Sequence, residues 1–368
     1  MKRLYALVLC ALLLCASARA AVYEAEPMTL LTPEDVDLSD VREADGRLTG
    51  EIHLPASVGN VRLMLDCPVP EPLAEAHKLT VAYRKITKKE LEKAIQSIGQ
   101  STKGAELRQF VSDPLSRMVS FEVERNLSTP PSLPQPDAPE RTETERAKQI
   151  MRDLAAALDV SLCEELIAWK RNVPYQGNPA ASTLAAKMQE ESRRRFVQTE
   201  RKSGRNGTDD ITLLHAMYEL EGLPVMFQYY WSDGRDAYCA SSELYAAVND
   251  EGRLVQASLW GVPVIEDAQA ISLPQRDWQT LVREWVAACY WPGSHLDEVT
   301  QESELYGEIT DFGTYEVITR LAPCWVGREK YRLEPGWYGV IQQRVLSDHS
   351  LDSQTLAYAS AVDMRRVH

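Results

Sequence analysis

Beyond residue 16, this 368-residue sequence has no apolar run of the roughly 20 residues that a spanning helix needs. It has no H-E-x-x-H and no C-x-x-C, and its six histidines (His53, His77, His215, His295, His349 and His368) are scattered, none at ligand spacing. Asp209-Asp210 lacks the alternating oxygen ligands and closing glutamate of a calcium loop. Gly204-Arg205-Asn206-Gly207 is a glycine turn without the lysine of a phosphate cradle, and no G-x-S-x-G elbow occurs. Base is also scarce: 40 Lys and Arg stand against 54 Asp and Glu, a formal charge of −14. A surface that binds nucleic acid needs the opposite sign. These absences leave no catalytic, cofactor-binding or metal-binding residue to name.

Closely spaced cysteine pairs are missing too. Past the first 20 residues there are five cysteines, Cys67, Cys163, Cys239, Cys289 and Cys324. An odd number at wide spacing does not describe a disulfide framework. Isolated buried thiols are the expectation.

What is present begins at the N-terminus. Lys2 and Arg3 precede an apolar run from Leu4 to Ala16, and Ala18-Arg19-Ala20 gives a small-x-small site. That order predicts a cleaved secretory signal over residues 1–20, and hence a secreted or cell-surface protein with no membrane span after cleavage. Leu12-Leu13-Leu14-Cys15 offers lipidation at Cys15 as an alternative, with Leu14 larger than the residue such sites usually carry. Cleavage removes Lys2, Arg3 and Arg19 and no acid, which takes the charge from −14 to −17.

Five prolines between Ser128 and Pro139 predict an extended linker over residues 128–140. On that basis the chain divides into a domain over residues 22–127 and another over 141–368. In the first, Val61–Cys67 alternates as a half-buried strand and Val81–Ile86 reads as another. Thr87-Lys88-Lys89-Glu90 is a capping box ahead of Leu91, Ala94, Ile95 and Ile98. In the second, Thr142–Glu145 opens a helix with Ala147, Ile150, Met151, Leu154 and Leu158 on one stripe. Thr212–Leu220 and Val225–Trp231 flank Glu221-Gly222 as a hairpin, and Leu244–Val248 and Leu254–Trp260 flank Asn249–Gly252 as a second. A helix is predicted from Pro274 to Tyr290, with Trp278 and Trp285 on its core face. Strands follow over 309–321, 330–345 and 355–362. The fold class is α+β: antiparallel hairpin-rich sheets with helices packed on one face, in two domains.

Gly207-Thr208-Asp209-Asp210, the apolar residues Ile211 to Leu214, and then Gly222-Leu223-Pro224 resemble the frame of transglutaminase-like cysteine hydrolases. Gly207 stands where that family places its nucleophile, so the resemblance implies an inactive relative of that hydrolase or transferase class. A broader resemblance runs through Tyr218–Val225, Ser242–Val248, Asn249–Gly252, Leu254–Trp260 and the helix opened by Leu273-Pro274, with Val61–Pro70, Leu333–Trp337 and Gln354–Val362 at the two ends. This order is similar to uncharacterised secreted proteins and lipoproteins of gut clostridia with PepSY/YycI-like regulatory units. It implies an exported, non-enzymatic binding or regulatory module, with a protein or peptide partner outside the cytoplasm and no cofactor. An unpaired sheet edge or a hairpin tip is the expected contact region. Trp325, Trp337 and Tyr338, read as lying among loops near the last strands, are the candidate contact residues.

Overall fold

The computed structural model describes residues 31–59, 61–73, 76–98, 109–113, 118–122, 142–172, 211–226, 228–232, 237–249, 251–290, 314–329, 331–346, 348–349 and 351–364. The signal segment, Cys15, the 128–140 linker and Gly207 lie outside these residues.

Two strands, β1 (Arg42–Ala44) and β2 (Arg47–Ile52), are joined by Asp45-Gly46, whose φ values of 52° and 73° suit a two-residue hairpin turn. β3 (Leu63–Pro68) buries Leu63, Leu65 and Cys67, as its alternation predicts. β4 (His77–Tyr83) follows. Helix α1 (Lys88–Ser97) starts at the capping box: the Glu90 N–H donates to Thr87 Oγ1 at 3.3 Å, and Glu90 Oε2 accepts the Thr87 N–H at 2.8 Å. β5 (Gln109–Asp113) and β6 (Met118–Glu122) form the next hairpin, and α2 spans Thr142–Ala157. β7 (Ala168–Asn172), β8 (Ile211–Met217), β9 (Glu219–Leu220), β10 (Leu223–Met226), β11 (Gln228–Ser232), β12 (Ala237–Ser241), β13 (Glu243–Asn249), β14 (Leu254–Trp260) and β15 (Pro263–Ala270) come next. Helix α3 covers Trp278–Cys289. β16 (Thr314–Glu329), β17 (Arg332–Val345) and β18 (Leu351–Ser360) close the described chain.

These elements make an α+β fold around two large sheets. The six-stranded sheet runs β5-β6-β14-β13-β8-β7, antiparallel throughout. Its strands turn Phe121, Leu214, Ala216, Leu244, Ala257 and Leu259 toward Leu91 and Ile95 of α1 and Met151 and Leu154 of α2. The ten-stranded sheet is mixed. Its spine is the long β16–β17 hairpin. One half of β16 pairs in parallel with β3 and the other with β10, while β17 takes β18 along most of its length and β4 at Arg332 and Leu333. Helix α3 covers this sheet, with Leu281, Val282, Trp285 and Val286 packed among side chains of β2, β3, β16 and β17. Trp285 packs where Gly339 has no side chain: a Cβ built there would overlap its Cη2 and Cζ2.

Three expectations need correction. The sheets do not divide the chain at the linker. β1–β4 share the large sheet with β15–β18, and β5–β6 share the small sheet with β14, so each sheet draws strands from both sides of residues 128–140. The spatial arrangement is nested: the small sheet is built from chain that leaves after β4 and returns before β15. Second, the Glu221-Gly222 turn joins only the two-residue β9 to β10, because β8 pairs with β7 and β13 and β10 pairs with β16. Third, α3 begins at Trp278 rather than Pro274. Asp277 caps it by accepting the Thr280 N–H at 2.7 Å. Among the described residues no helix is long and apolar enough to cross a membrane.

Candidate functional site

The three contact candidates are core residues. Trp325 is packed between β4, β10 and β17 and donates its Nε1–H to the Leu220 carbonyl at 2.9 Å. Trp337 lies under α3, where its carbonyl accepts from Trp285 Nε1 at 3.2 Å. Tyr338 packs with Cys324, Val326 and Val340, and burial pushes its phenol well above the usual range. The prolines and glycines nearby suggest loops, yet β16 passes through Pro323 and β17 through Pro335-Gly336. A Cβ at Gly336 would overlap Val326 and lie 2.7 Å from the Ala359 carbonyl, so close strand packing accounts for that glycine. These three residues therefore hold the sheet together and present no contact surface.

Thiol chemistry is disfavoured at the cysteines whose side chains are described. Cys67, Cys163, Cys289 and Cys324 are buried thiols. Burial pushes Cys67 up to about 12 and Cys163 up to about 11, and also raises Cys324 well above the ordinary thiol range, so little reactive thiolate forms near neutral pH at these three. The apolar run after Gly207 is β8, a strand inside the small sheet that carries no cysteine.

One polar cluster emerges that the sequence does not show. On the face of the small sheet away from α1 and α2, a cross-strand row runs Ser120, Ser258, Tyr245, His215, Ala168. The His215 ring stacks on Tyr245 with centroids 4.5 Å apart and planes 8° from parallel. His215 Nε2 lies 2.8 Å from Glu243 Oε2, and Ser258 Oγ donates to Ser120 Oγ at 3.0 Å. His215 is 7% exposed, and its Nδ1 is buried without a hydrogen-bond partner. His215 and Glu243 are 28 residues apart on strands that are not consecutive, so no spacing rule finds them. Among the described residues no nucleophile is bonded to this imidazole and no group of three metal-ligating side chains forms. What the pair does visibly is pin β8 to β13.

The outer edge of β15 is one of the sheet edges left unpaired among the described residues. The Arg84 N–H donates to the Val262 carbonyl and the Ile271 N–H to the Ala76 carbonyl, both at 2.9 Å. With the register Val264↔Ala82, Asp267↔Thr80 and Gln269↔Lys78, antiparallel alternation directs the backbone groups of Val264, Asp267 and Gln269 to β4. Those of Ile265, Ala268 and Ala270 then point outward, with a bulge between Ile265 and Asp267. Among the described residues no strand pairs with β15 on that side. Ile265 and Tyr83 share one face by register and are half-buried against Leu79, Val81 and Leu333. Tyr331, 49% exposed, has its ring centroid 6.0 Å from that of Tyr83. On the other face Val264 is 46% exposed and Asp267 and Gln269 are exposed. An open strand edge beside two tyrosines is a surface suited to an extended chain.

No protein-family model matches the chain, and no curated protein matches it. Among solved structures, the chain is similar to an uncharacterised protein from Eubacterium rectale, at 8% identity and a TM-score of 0.46, over 87% of this chain and 93% of that one.

Proposed function

We propose that the chain is a non-enzymatic binding module, exported from the cytoplasm, that takes an extended segment of a protein or peptide onto the outer edge of β15. The observation that carries this reading is the row of outward backbone groups at Ile265, Ala268 and Ala270, on an eight-residue strand paired on its other side alone among the described residues. Backbone pairing supplies affinity in strand addition, and the pockets beside alternate side chains supply selectivity. The order of basic, apolar and small residues over 1–20 supports export, and the sequence resemblance to PepSY/YycI-like units, of which the Asn249–Gly252 hairpin and helix α3 form, supports a binding or regulatory role. Burial of the described thiols, with the cysteine missing at Gly207, weighs against the cysteine-hydrolase alternative.

Ala268→Pro tests the reading. Proline removes one outward N–H while the groups bonded to β4 stay in place, since edge positions of this kind tolerate it. On an array of extended peptides, the wild-type protein should bind a subset that Ala268→Pro no longer binds, with the melting temperature of the two within a few degrees. Binding that ignores the substitution, or an array with no binder at all, would refute the edge as the site.

A further inference from the structure

We infer that the occupant of the β15 edge is an amphipathic cationic strand from another protein, an inference that rests on the strand-edge reading above. Charge is the first argument. β15 carries Glu266 and Asp267, both exposed, and no basic residue between Pro263 and Ala270. The β9–β10 hairpin packs Leu220 and Leu223 against the same apolar cluster as Ile265 and Tyr83. It adds Glu219 and exposed Glu221, again with no basic residue from 219 to 226. Apart from exposed Lys85 just past the end of β4, the nearest bases are directed elsewhere or stand back. Lys78, across from Gln269 on the inner strand, places Nζ 3.8 Å from Glu334 Oε2. Arg84 bonds Glu90 Oε1 at 3.0 Å and the Leu158 carbonyl. Arg332 lies on β17, one strand further in. An incoming segment therefore meets the Glu266 and Asp267 carboxylates of the edge strand itself before the bases of the strands behind it.

The two faces of the edge supply the second argument. A strand hydrogen-bonded to Ile265, Ala268 and Ala270 sends alternate side chains to opposite faces. On one face they pass Val264, Asp267 and Gln269. On the other they pass Ile265 and Ala268, toward the side that bears Tyr83 and Tyr331. Lysine or arginine suits the first row, and apolar side chains suit the second. A second copy of this chain is the wrong occupant. Antiparallel pairing of β15 with itself brings two Glu266-Asp267 pairs together, and like charges opposed across strands destabilise the pairing. The bulge and carboxylates that bar self-pairing thus admit a partner of opposite charge.

Three capped eight-residue peptides test this against the full chain: alternating Val and Lys, alternating Val and Thr, and alternating Val and Glu. Titration calorimetry should show the Val-Lys peptide binding at least about tenfold more tightly than Val-Thr, with Val-Glu not bound. Raising salt so that the Debye length falls from about 10 Å to about 3 Å should remove most of that advantage. The double variant Glu266→Lys, Asp267→Lys should reverse the order of the charged peptides, and Ala268→Pro should abolish binding of all. Equal affinity for Val-Lys and Val-Thr, both lost in Ala268→Pro, would overturn the cationic partner and leave the edge reading standing. Val-Lys binding that survives Ala268→Pro, or no binding by any peptide, would overturn both. A self-association in sedimentation that Ala268→Pro removes would instead make a second copy the occupant and overturn the inference.

Discussion

Gly339→Ala changes one hydrogen into a methyl group, yet it should be among the most costly small substitutions in the large sheet. The added carbon would overlap Cη2 and Cζ2 of Trp285 and stand 3.3 Å from its Cε2. Trp285 has no room to withdraw: it is fully buried, and Nε1 is held by the Trp337 carbonyl at 3.2 Å. Overpacking of this kind costs about 1–3 kcal/mol. Gly→Ala also removes freedom from the unfolded chain, which returns about 0.4–1 kcal/mol, so a net loss of about 1–2 kcal/mol is expected. Trp285→Phe alone should cost about 2 kcal/mol, from lost contact area and one hydrogen bond. Phenylalanine lacks the ring atoms that the new methyl strikes, so the double variant should cost less than the two single changes together, by about 1 kcal/mol. Urea denaturation followed by far-UV circular dichroism measures all four corners of this cycle. A neutral Gly339→Ala, or additivity within about 0.5 kcal/mol, would refute the claim that these two residues are in contact.

The acidic cap of α1 gives a pH prediction. Hydrogen bonds from Thr87, then Arg84, hold the Glu90 carboxyl down to about 2. Its stabilising effect should be fully present above the ordinary carboxylate range and fade as pH falls from about 4.5 toward about 2, where the urea midpoints of wild type and Glu90→Gln should converge. Thr87→Ala should cost about 1 kcal/mol at neutral pH by the same assay. Cys67 and Cys163 should resist alkylation in the native protein at pH 8 and react on unfolding; peptide mapping that finds either labelled within minutes under native conditions would contradict their burial. Trp337→Ala should lower stability by about 3–5 kcal/mol, and a variant that folds with wild-type stability would return that residue to the surface.

Local features were legible in the sequence and long-range ones were not. The Thr87 capping box, the α2 stripe and the Asn249–Gly252 hairpin are decided by residues within a few positions of one another, and each stands where it was read. The α+β class follows from the same signals. Pairing between distant strands has no such local code. Nothing in Leu63–Pro68 announces a parallel neighbour at Glu316–Ile318, and nothing in the 128–140 prolines announces that strands before and after them share sheets. The proposed contact region follows the same rule. An open sheet edge was expected, but choosing β15 required the register against β4, and turn-like residues disguised Trp325, Trp337 and Tyr338 as loop aromatics. His215 and Glu243 meet only because β8 and β13 are adjacent.

The nested path has a consequence for how the chain reaches its native state. Made from the N-terminus, β1 to β4 emerge with their apolar faces ready while β15 to β18, their partners in the large sheet, are still about 180 residues or more away. The small sheet and its two helices lie wholly within that interval and can close first. Doing so shortens the gap, because the chain leaves and re-enters at neighbouring points, where Arg84 bonds to Val262. Loop-closure entropy grows with the length of free chain, so a folded middle acts as a clasp that brings the two ends together. Until then β4 and the outer edge of β3 lack their partners and are prone to stick to other chains. Synthesis in truncated form, ending anywhere before β16, should therefore yield aggregates rather than a stable N-terminal domain.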